Sequence, residues 1–315
     1  MNAKEFRKLV QDAKRLTPHQ RQVLHDRIQP SGQSQASANL AEGRLAEKPT
    51  CPHCGHGEAV RNGVVSSLQR YRCKSCRRCF NALTGTPLAR LRHKEKWLNN
   101  AEEMINGSSV RKTAAKIGVH RTTAFRWRHK FLSLPEGLQA TLLAGIAEAD
   151  ETYILESKKG QRKGLGRNPR KRGGKAGKRG LSEEQIPVLI CRDREGNTAD
   201  FVLEKADKKH IGAALKPILA PDAILCTDSG KALCAAAKEI GVAHRPVNLA
   251  SGQRVVAGVY HVQNVNAYDS RLKEWMRRFH GVATKYLPNY LGWRRLMERH
   301  GEALCPSRFM QDALG

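Results

Sequence analysis

The sequence predicts an α/β protein in which a mixed β-sheet with packed helices follows a series of smaller N-terminal units. Three observations support this fold class. Strand and helix patterns alternate after residue 146, five cysteines crowd into residues 51–79, and two helical patterns separated by a glycine occupy residues 108–131. A chain of 315 residues is also long enough for two or three domains.

The composition is strongly basic. Lysine and arginine number 56 against 29 aspartates and glutamates, which gives a formal net charge of +27. Contacts between such cations and phosphate release condensed counterions, so nucleic acid is the first partner to expect, with an anionic membrane surface as the rival. We find no run of about 18 apolar residues and no signal-peptide pattern, and therefore expect a soluble intracellular protein.

The N-terminal region predicts helices followed by a linker. Residues 3–28 have the spacing of two short helices, and Thr17 before Pro18 is typical of a helix cap and first turn. Residues 29–43 are polar and aperiodic. We divide the chain into a helical segment (1–28), a linker (29–48), a zinc-binding ribbon (49–88), a helix-turn-helix (93–134), an α/β region (146–298) with a basic insertion (158–180), and a tail (299–315).

The ribbon region contains two CxxC pairs, Cys51 with Cys54 and Cys73 with Cys76. Each pair can form a tight turn that presents two thiolates to one ion, and four thiolates close a tetrahedral Zn²⁺ site with no open position. Such a site is structural and not catalytic. Cys79 leaves an ambiguity because it forms a further CxxC with Cys76, but we favour Cys73 and Cys76 as the ligands.

Residues 108–131 have the pattern of a helix-turn-helix, with Gly118 at the turn. We expect the inner faces of the two helices to contain Val110, Ala114, Ala115, Val119, Ala124, Phe125 and Trp127. Short polar and basic side chains on the second helix suit base edges and phosphates in a major groove, and these are Thr122, Thr123, Arg126 and Arg128. The alternative is an ordinary amphipathic helical hairpin.

The region after residue 146 alternates strands and helices in the order β-β-β-α-β-α. The predicted elements are residues 147–155, 185–193, 198–206, 208–219, 222–228 and 231–241. This order implies a mixed sheet with helices packed on it. We expect the later segment at residues 283–297 to pack Tyr286, Leu287, Tyr290 and Trp293 onto this core.

A basic, glycine-rich segment separates the first two predicted strands. Residues 158–180 hold eleven lysines and arginines and no acid, so the segment cannot bury a core of its own. We predict that it contacts phosphates of a polyanion through Lys158, Lys159, Arg162, Lys163, Arg170, Lys171 and Arg172. The alternative is a flexible insertion of little consequence.

Two aspartates lie on neighbouring predicted strands. Asp228 follows the apolar residues 223–226 at the end of one strand, and Asp150 lies on the first strand of the region. Ligands commonly bind at the carboxyl ends of such strands, and two carboxylates provide the oxygen ligands that Mg²⁺ prefers. A single aspartate of this kind is more often a helix cap or a surface acid, so the argument depends on the pair.

A third ligand is expected on the predicted helix of residues 262–281. On a helical wheel, Asn266 and Lys273 share one face with Ser270 and Arg277. The amide oxygen of Asn266 can bind Mg²⁺, and Lys273, two turns later, can hold a phosphate. The alternative is a solvated polar face.

Together these motifs resemble the bacterial insertion-sequence transposases of the zinc-ribbon, helix-turn-helix, DDE group. The resemblance is carried by the two N-terminal modules, by EADET at 148–152, by CTDSGKAL at 226–233 and by the segment at 260–294. It covers about residues 5–298 and implies an RNase H-like core with two divalent metal ions. It further implies that Asp150 and Asp228 are catalytic ligands of Mg²⁺ or Mn²⁺.

The resemblance implies that Asn266 stands where members with the full acidic triad have glutamate, with Lys273 seven residues later. A branch with asparagine at this position exists, so the departure does not imply inactivity, although one negative charge is missing. Three nearby acids can compensate, and we rank them behind Asn266. Asp269 and Glu274 point about 60° and 80° away from it on the wheel, and Glu151 alternates to the other face of its strand.

The activity implied by the resemblance is binding of the terminal inverted repeats, followed by metal-dependent cleavage and transfer of DNA strands. Double-stranded DNA is the implied partner, with a homo-oligomer in the active complex and a location in the bacterial cytoplasm at the nucleoid. The competing hypothesis is a non-catalytic DNA-binding regulator that keeps the ribbon and the helix-turn-helix over an inactive core.

Overall fold

The computed structural model describes residues 2–17, 35–45, 49–161, 163–166, 168, 174, 176–177, 182–248 and 251–315. The chain forms two compact units. The first unit comprises Met1–Leu134 and Leu304–Gly315, and the second comprises Pro135–Ala303. None of the helices in the described ranges has the length and apolarity that crossing a membrane requires.

The first unit begins with helix α1 (Ala3–Lys14), which starts at a capping box formed by Asn2 and Glu5. The second predicted helix, at 18–28, falls outside the described residues. Residues 35–42 form a helix, α2, where we predicted a linker. This prediction is wrong because Ser37, Ala38 and Ala41 are buried: small side chains pack closely without the large apolar residues that reveal a helix in a sequence.

The cysteine-rich region forms a small antiparallel sheet. Its strands run in the order β1 (Ala59–Val65), β2 (Leu68–Cys73) and β3 (Cys79–Phe80). Ser66 and Ser67 join the first two strands, and both have φ in the left-handed region, at 51° and 62°. A two-residue turn of this kind matches the twist of the strands and closes a hairpin.

Three helices follow: α3 (Trp97–Ile105), α4 (Val110–Ile117) and α5 (Arg121–Phe131). The Ser109 side chain caps α4, and Gly118 ends it with a φ of 63°, as the turn prediction required. On α4 Ala114 is buried as predicted, but Ala115 is exposed and Ile117 lies inside instead.

The C-terminal residues do not form the predicted tail. Helix α10 (Pro306–Leu314) contacts α3 and α5 in the first unit. Its inner face is buried and consists of Phe309, Met310, Ala313 and Leu314. The prediction was wrong because these apolar residues recur at helical spacing behind a proline at the first helical position, so the segment buries an amphipathic face.

The second unit contains a mixed sheet with helices on both faces. Its elements are β4 (Ile146–Leu155), β5 (Gln185–Asp193), β6 (Thr198–Val202), α6 (Lys208–Leu215), β7 (Ile224–Thr227), α7 (Lys231–Ile240), β8 (Ala243–Pro246), α8 (Gln263–Arg277) and α9 (Leu287–His300). The five described strands are ordered β6-β5-β4-β7-β8. Strands β4, β5 and β6 pair antiparallel, whereas β7 and β8 run parallel to β4. This arrangement confirms the predicted α/β fold class, a mixed sheet with packed helices.

Small residues on β4 let helices approach the sheet. Ala147 and Ala149 are buried in one cluster with Ile211 and Leu215 of α6 and with Leu233 of α7. On the other face, α8 contacts β4 and β5. Successive residues of β4 therefore face helices on opposite sides of the sheet. Ala147 and Ala149 face α6 and α7, and the residues that alternate with them face α8.

The segment at 283–297 packs inward largely as expected. Leu287, Tyr290 and Trp293 are buried, whereas Tyr286 is half-buried. The rings of Tyr290 and Trp293 contact Trp275 of α8 in tilted and edge-on arrangements, with centroids 6.2 and 5.1 Å away. These contacts fix α8 against α9.

Candidate active site

Strand pairing brings the two predicted aspartates together. Glu148 of β4 pairs with Cys226 of β7 in parallel register. Asp150 and Asp228 each come two residues later, so the same register brings them side by side. Strand β7 ends at Thr227, which leaves the edge of β4 open beside these residues. Oxygen atoms of Asp150, Glu151 and Asp228 all lie within 4.8 Å of one another.

Glu151 joins this group, although we ranked it behind Asn266 because it alternates to the other face of its strand. Alternation does direct successive side chains of a strand to opposite faces. Pairing of β7 with β4 ends at Cys226 and Glu148, however, so β7 does not cover the edge of β4 at Asp150 and Glu151. A carboxylate oxygen of Glu151 lies within 4.8 Å of those of Asp150 and Asp228.

Local hydrogen bonds hold both aspartates. One carboxylate oxygen of Asp150 accepts from the Glu151 N–H at 2.9 Å. One oxygen of Asp228 accepts from the Gly230 N–H, also at 2.9 Å, across Ser229, whose φ is 70°. Asp228 therefore shapes the turn that leads into α7 and also joins the acidic group.

The electrostatics of the three carboxylates favour a cation. Burial raises the pKa of Asp150 to about 6, and the negative charge of Asp228 adds to the effect. Burial also raises the pKa of Glu151 to about 7, with further contributions from Asp150 and Asp228. Neighbouring carboxylates that resist ionisation together are stabilised when a divalent cation neutralises them, so this donor set fits Mg²⁺ or Mn²⁺.

Helix α8 presents a charged stripe to these acids. Lys273 lies 2.7 Å from a carboxylate oxygen of Asp269. The negative charge of Asp269 raises the pKa of Asp150, and the positive charge of Lys273 lowers it. Asn266 lies one turn before Asp269 on α8 and is half-buried, and its backbone N–H donates to the Val262 carbonyl.

Sequence reasoning gave too little weight to two acids, Glu151 and Asp269. Asp269 had a signal in the sequence, because it precedes Lys273 by four residues, the spacing of an ion pair on a helix. Glu151 had only its position next to Asp150, because the early end of β7 is visible only in the structure.

The four cysteines of the two CxxC pairs converge on one point. Their sulfur atoms lie within 4.8 Å of one another, with 3.6 Å between Cys51 and Cys76 and 3.7 Å between Cys54 and Cys73. In a tetrahedral site with Zn–S bonds of about 2.3 Å, sulfurs lie about 3.8 Å apart. The donor set fits zinc, and Cys79 is exposed outside it.

Helix α5, the second helix of the predicted helix-turn-helix, exposes part of the predicted DNA-contacting set. Thr122 and Arg126 are exposed, and Thr123 is half-buried. These residues share the outer side of α5.

Arg128 does not belong to that surface, which corrects the prediction. It is 3% exposed, and its guanidinium donates to the Ser108 carbonyl. The buried stripe of α5 contains Ala124, Trp127 and Arg128 at helical spacing, so the arginine after Trp127 falls inside. Phe125, predicted as an anchor, is 39% exposed for the same reason.

The basic insertion is described only in part. The Lys158 ammonium donates to the Leu165 carbonyl at 2.8 Å, and that of Lys159 donates to the Gly281 carbonyl at 2.9 Å. Lys163 is exposed. The other predicted phosphate contacts lie outside the described residues: Arg162, Arg170, Lys171 and Arg172. Two of the predicted lysines are thus engaged within the second unit itself.

Comparisons with known proteins connect the second unit to mobile elements. Residues 142–294 match the family model of the ISXO2-like transposase domain. A Halobacterium salinarum protein, described as an uncharacterized protein in transposable element ISH50, is 28% identical over 259 residues, which are 80% of this chain and 86% of the relative.

Two solved structures show distant similarity. One is a simian T-cell lymphotropic virus intasome in complex with PP2A regulatory subunit B56 gamma, with a TM-score of 0.29, 10% identity and coverage of 62% of this chain and 68% of that one. The other is a pre-cleavage Mos1 transpososome, with a TM-score of 0.20, 11% identity and coverage of 69% and 76%. Similarity at this level adds no argument to the sequence match.

Proposed function

From the premise that residues 142–294 are an ISXO2-like transposase domain, we propose that this transposase binds the terminal inverted repeats of an insertion sequence and cleaves and transfers its DNA strands. The observation that carries the proposal is the convergence of Asp150 and Asp228 within the matched region. The two residues are 78 positions apart in the sequence, yet their carboxylates meet at the open edge of β4.

Asp150 and Asp228 would bind divalent metal, Mg²⁺ or Mn²⁺, with Asn266 as the third ligand. Such ions stabilise the attacking and leaving oxygens of an in-line displacement at phosphorus. Because Asn266 carries no charge, Glu151 is placed to supply the carboxylate that a full acidic triad would provide.

Lys273 would hold a DNA phosphate beside the acids. Its ammonium is half exposed and its position is set by Asp269, 2.7 Å away. The charges of Lys273 and Asp269 both affect the pKa of Asp150, so the ion pair lies near that carboxylate. A phosphate bound to Lys273 would therefore lie near the acidic group.

The chemistry needs no nucleophile from the protein. A water oxygen bonds to the scissile phosphorus as the bond to the 3′ oxygen breaks, which leaves a 3′-hydroxyl. That hydroxyl then attacks a phosphodiester of target DNA. The role of the chain is to hold the reacting groups in line and to exclude competing geometries.

The first unit would recognise the DNA ends. Thr122, Thr123 and Arg126 of α5 are placed to contact base edges and phosphates, and the cysteine ribbon would be stabilised by zinc. The net charge of +27 favours double-stranded DNA as the partner. Joining two element ends to one target requires two active sites, so we include a homo-oligomer in the proposal.

Incubation of labelled element ends with the protein and Mg²⁺ or Mn²⁺ tests this function. We expect a metal-dependent nick at the element boundary with the wild type. Glu204→Gln, which removes one exposed carboxylate elsewhere in the second unit, serves as the matched control and should nick normally. Specific binding of the ends without any nick would instead support the non-catalytic regulator.

A further inference from the structure

A buried carboxylate next to the acidic site has no part in the chemistry above. Glu148 is 0% exposed and lies two residues before Asp150 on β4. Because strand residues alternate, Glu148 and Asp150 share the face of the sheet that α8 covers. A fully buried carboxylate is stable only when it is paired and hydrogen-bonded, so its partners identify its role.

Two cationic or polar side chains surround Glu148. The Arg194 guanidinium lies 2.7 Å from its Oε1, and the His261 ring Nδ1 lies 3.4 Å from the same oxygen. Arg194 also contacts the His261 ring and donates to the Val259 carbonyl at 2.9 Å. The cluster therefore joins β4 to the turn after β5 and to the segment that leads into α8.

The same cluster caps the N-terminus of α8. Helix α8 has Val262 at its N-cap and so lacks a capping side chain of its own. Instead, Oε2 of Glu148 accepts from the Val265 N–H at 2.9 Å, and Nδ1 of His261 accepts from the Gln263 N–H at 3.2 Å. An anionic acceptor at a helix N-terminus satisfies open N–H groups and interacts favourably with the helix dipole.

The position of this cap matters for the acidic site. Val265 directly precedes Asn266, and Glu148 shortly precedes Asp150. One carboxylate thus links the strand that carries the first metal ligand to the helix that carries the third. We propose that Glu148, paired with Arg194, is the positioning residue that fixes Asn266 of α8 relative to Asp150 of β4.

This inference rests on the proposed function, and metal binding tests it without relying on strand cleavage. Mn²⁺ affinity of the zinc-loaded, full-length protein is measured from the free-Mn²⁺ signal in electron paramagnetic resonance. Glu148→Gln weakens the hydrogen bond from the Val265 N–H and removes the ion pair with Arg194, so we expect Mn²⁺ to bind about tenfold more weakly, the usual loss when a group that orients metal ligands is removed. Amides in the first turn of α8 should also exchange hydrogen faster.

Asp200→Asn is the matched control. Asp200 is likewise buried, pairs with Arg295, and accepts from the Tyr268 hydroxyl of α8 at 3.2 Å, away from the helix N-terminus. It should be destabilised by heat to a similar degree yet keep the Mn²⁺ affinity of the wild type. If Glu148→Gln is unfolded, Glu148→Asp, which retains the charge but retracts the acceptor, should show the same weakened binding.

Equal Mn²⁺ affinities for the Glu148 variant and the Asp200 control, whether both unchanged or both reduced, would overturn the positioning role. The proposed function itself would be overturned if Asp150→Asn and Asp228→Asn bound Mn²⁺ as tightly as the wild type does. The acidic group would then not be a metal site.

Discussion

The two candidate metal sites of this protein are built in opposite ways. The cysteine site draws its four ligands from two CxxC pairs on a small ribbon, each pair closed by a local turn. The acidic site draws Asp150 and Glu151 from one strand and Asp228 from the end of another, with a helix beside them. The first depends on spacing along the chain, and the second depends on where a strand stops.

This difference implies a structural role for the cysteine site and a chemical role for the acidic site. Four thiolates leave no open coordination position, whereas three carboxylates at an open sheet edge leave room for water and phosphate. Damage to the cysteine site should therefore affect DNA binding, and damage to the acidic site should affect chemistry.

The largest expected effect is on strand cleavage. Asp150→Asn or Asp228→Asn should reduce nicking of element ends by at least about 10³-fold, because metal-based charge stabilisation is worth several kcal/mol. Binding of the ends, measured by gel shift in EDTA, should stay within about twofold. Loss of binding along with cleavage would contradict the division of labour between the two sites.

The next largest effect concerns the ribbon. Cys54→Ser should release zinc, measured with a chromogenic chelator, and should weaken end binding by about 10-fold or more, because structural zinc supplies much of the folding energy of such small units. Cys79→Ser is the matched control, since Cys79 is exposed outside the four-sulfur group. If Cys79→Ser releases zinc and Cys54→Ser does not, the ligand assignment is wrong.

The contribution of the third ligand sharpens the comparison further. We expect Asn266→Ala and Glu151→Gln each to slow nicking by about 10- to 100-fold, since one supplies an oxygen ligand and the other supplies charge. The double variant Glu151→Gln with Asn266→Glu restores the carboxylate count and should recover much of the rate. Normal nicking by Glu151→Gln alone would show that Glu151 is near the site without acting in it.

The smallest expected effect is on DNA recognition. Arg126→Ala should weaken end binding by about 1 kcal/mol, or about fivefold, and lower the slope of affinity against salt, because it removes a DNA contact. Arg128→Ala should instead lower the melting temperature, because its guanidinium is buried against the Ser108 carbonyl. Fluorescence anisotropy at several salt concentrations and a thermal melt distinguish the two residues.

Several of these features were predictable from sequence because they are local. A few neighbouring residues are enough to predict each of them: the metal-binding turns from the CxxC pairs, the turn from Gly118, and a buried strand from the apolar run before Asp228. The mixed sheet also followed from the order of strand and helix patterns.

Other features depend on contacts that the sequence does not display. Strand β8 is four residues long and mostly polar or exposed, so only its pairing with β7 reveals it. Arg128 was predicted as a DNA contact because basic side chains on this helix suit base edges and phosphates, yet a carbonyl inside the first unit satisfies it. Glu151 joined the acids because β7 ends early, which no rule of alternation predicts.

Our central proposal is that Asp150 and Asp228 together bind a divalent metal ion. Crystals of the zinc-loaded protein soaked in Mn²⁺ test it most directly through anomalous scattering at the manganese edge. We predict a peak between the carboxylates of Asp150 and Asp228. Manganese peaks elsewhere on the protein, with none between these two side chains, would contradict the account.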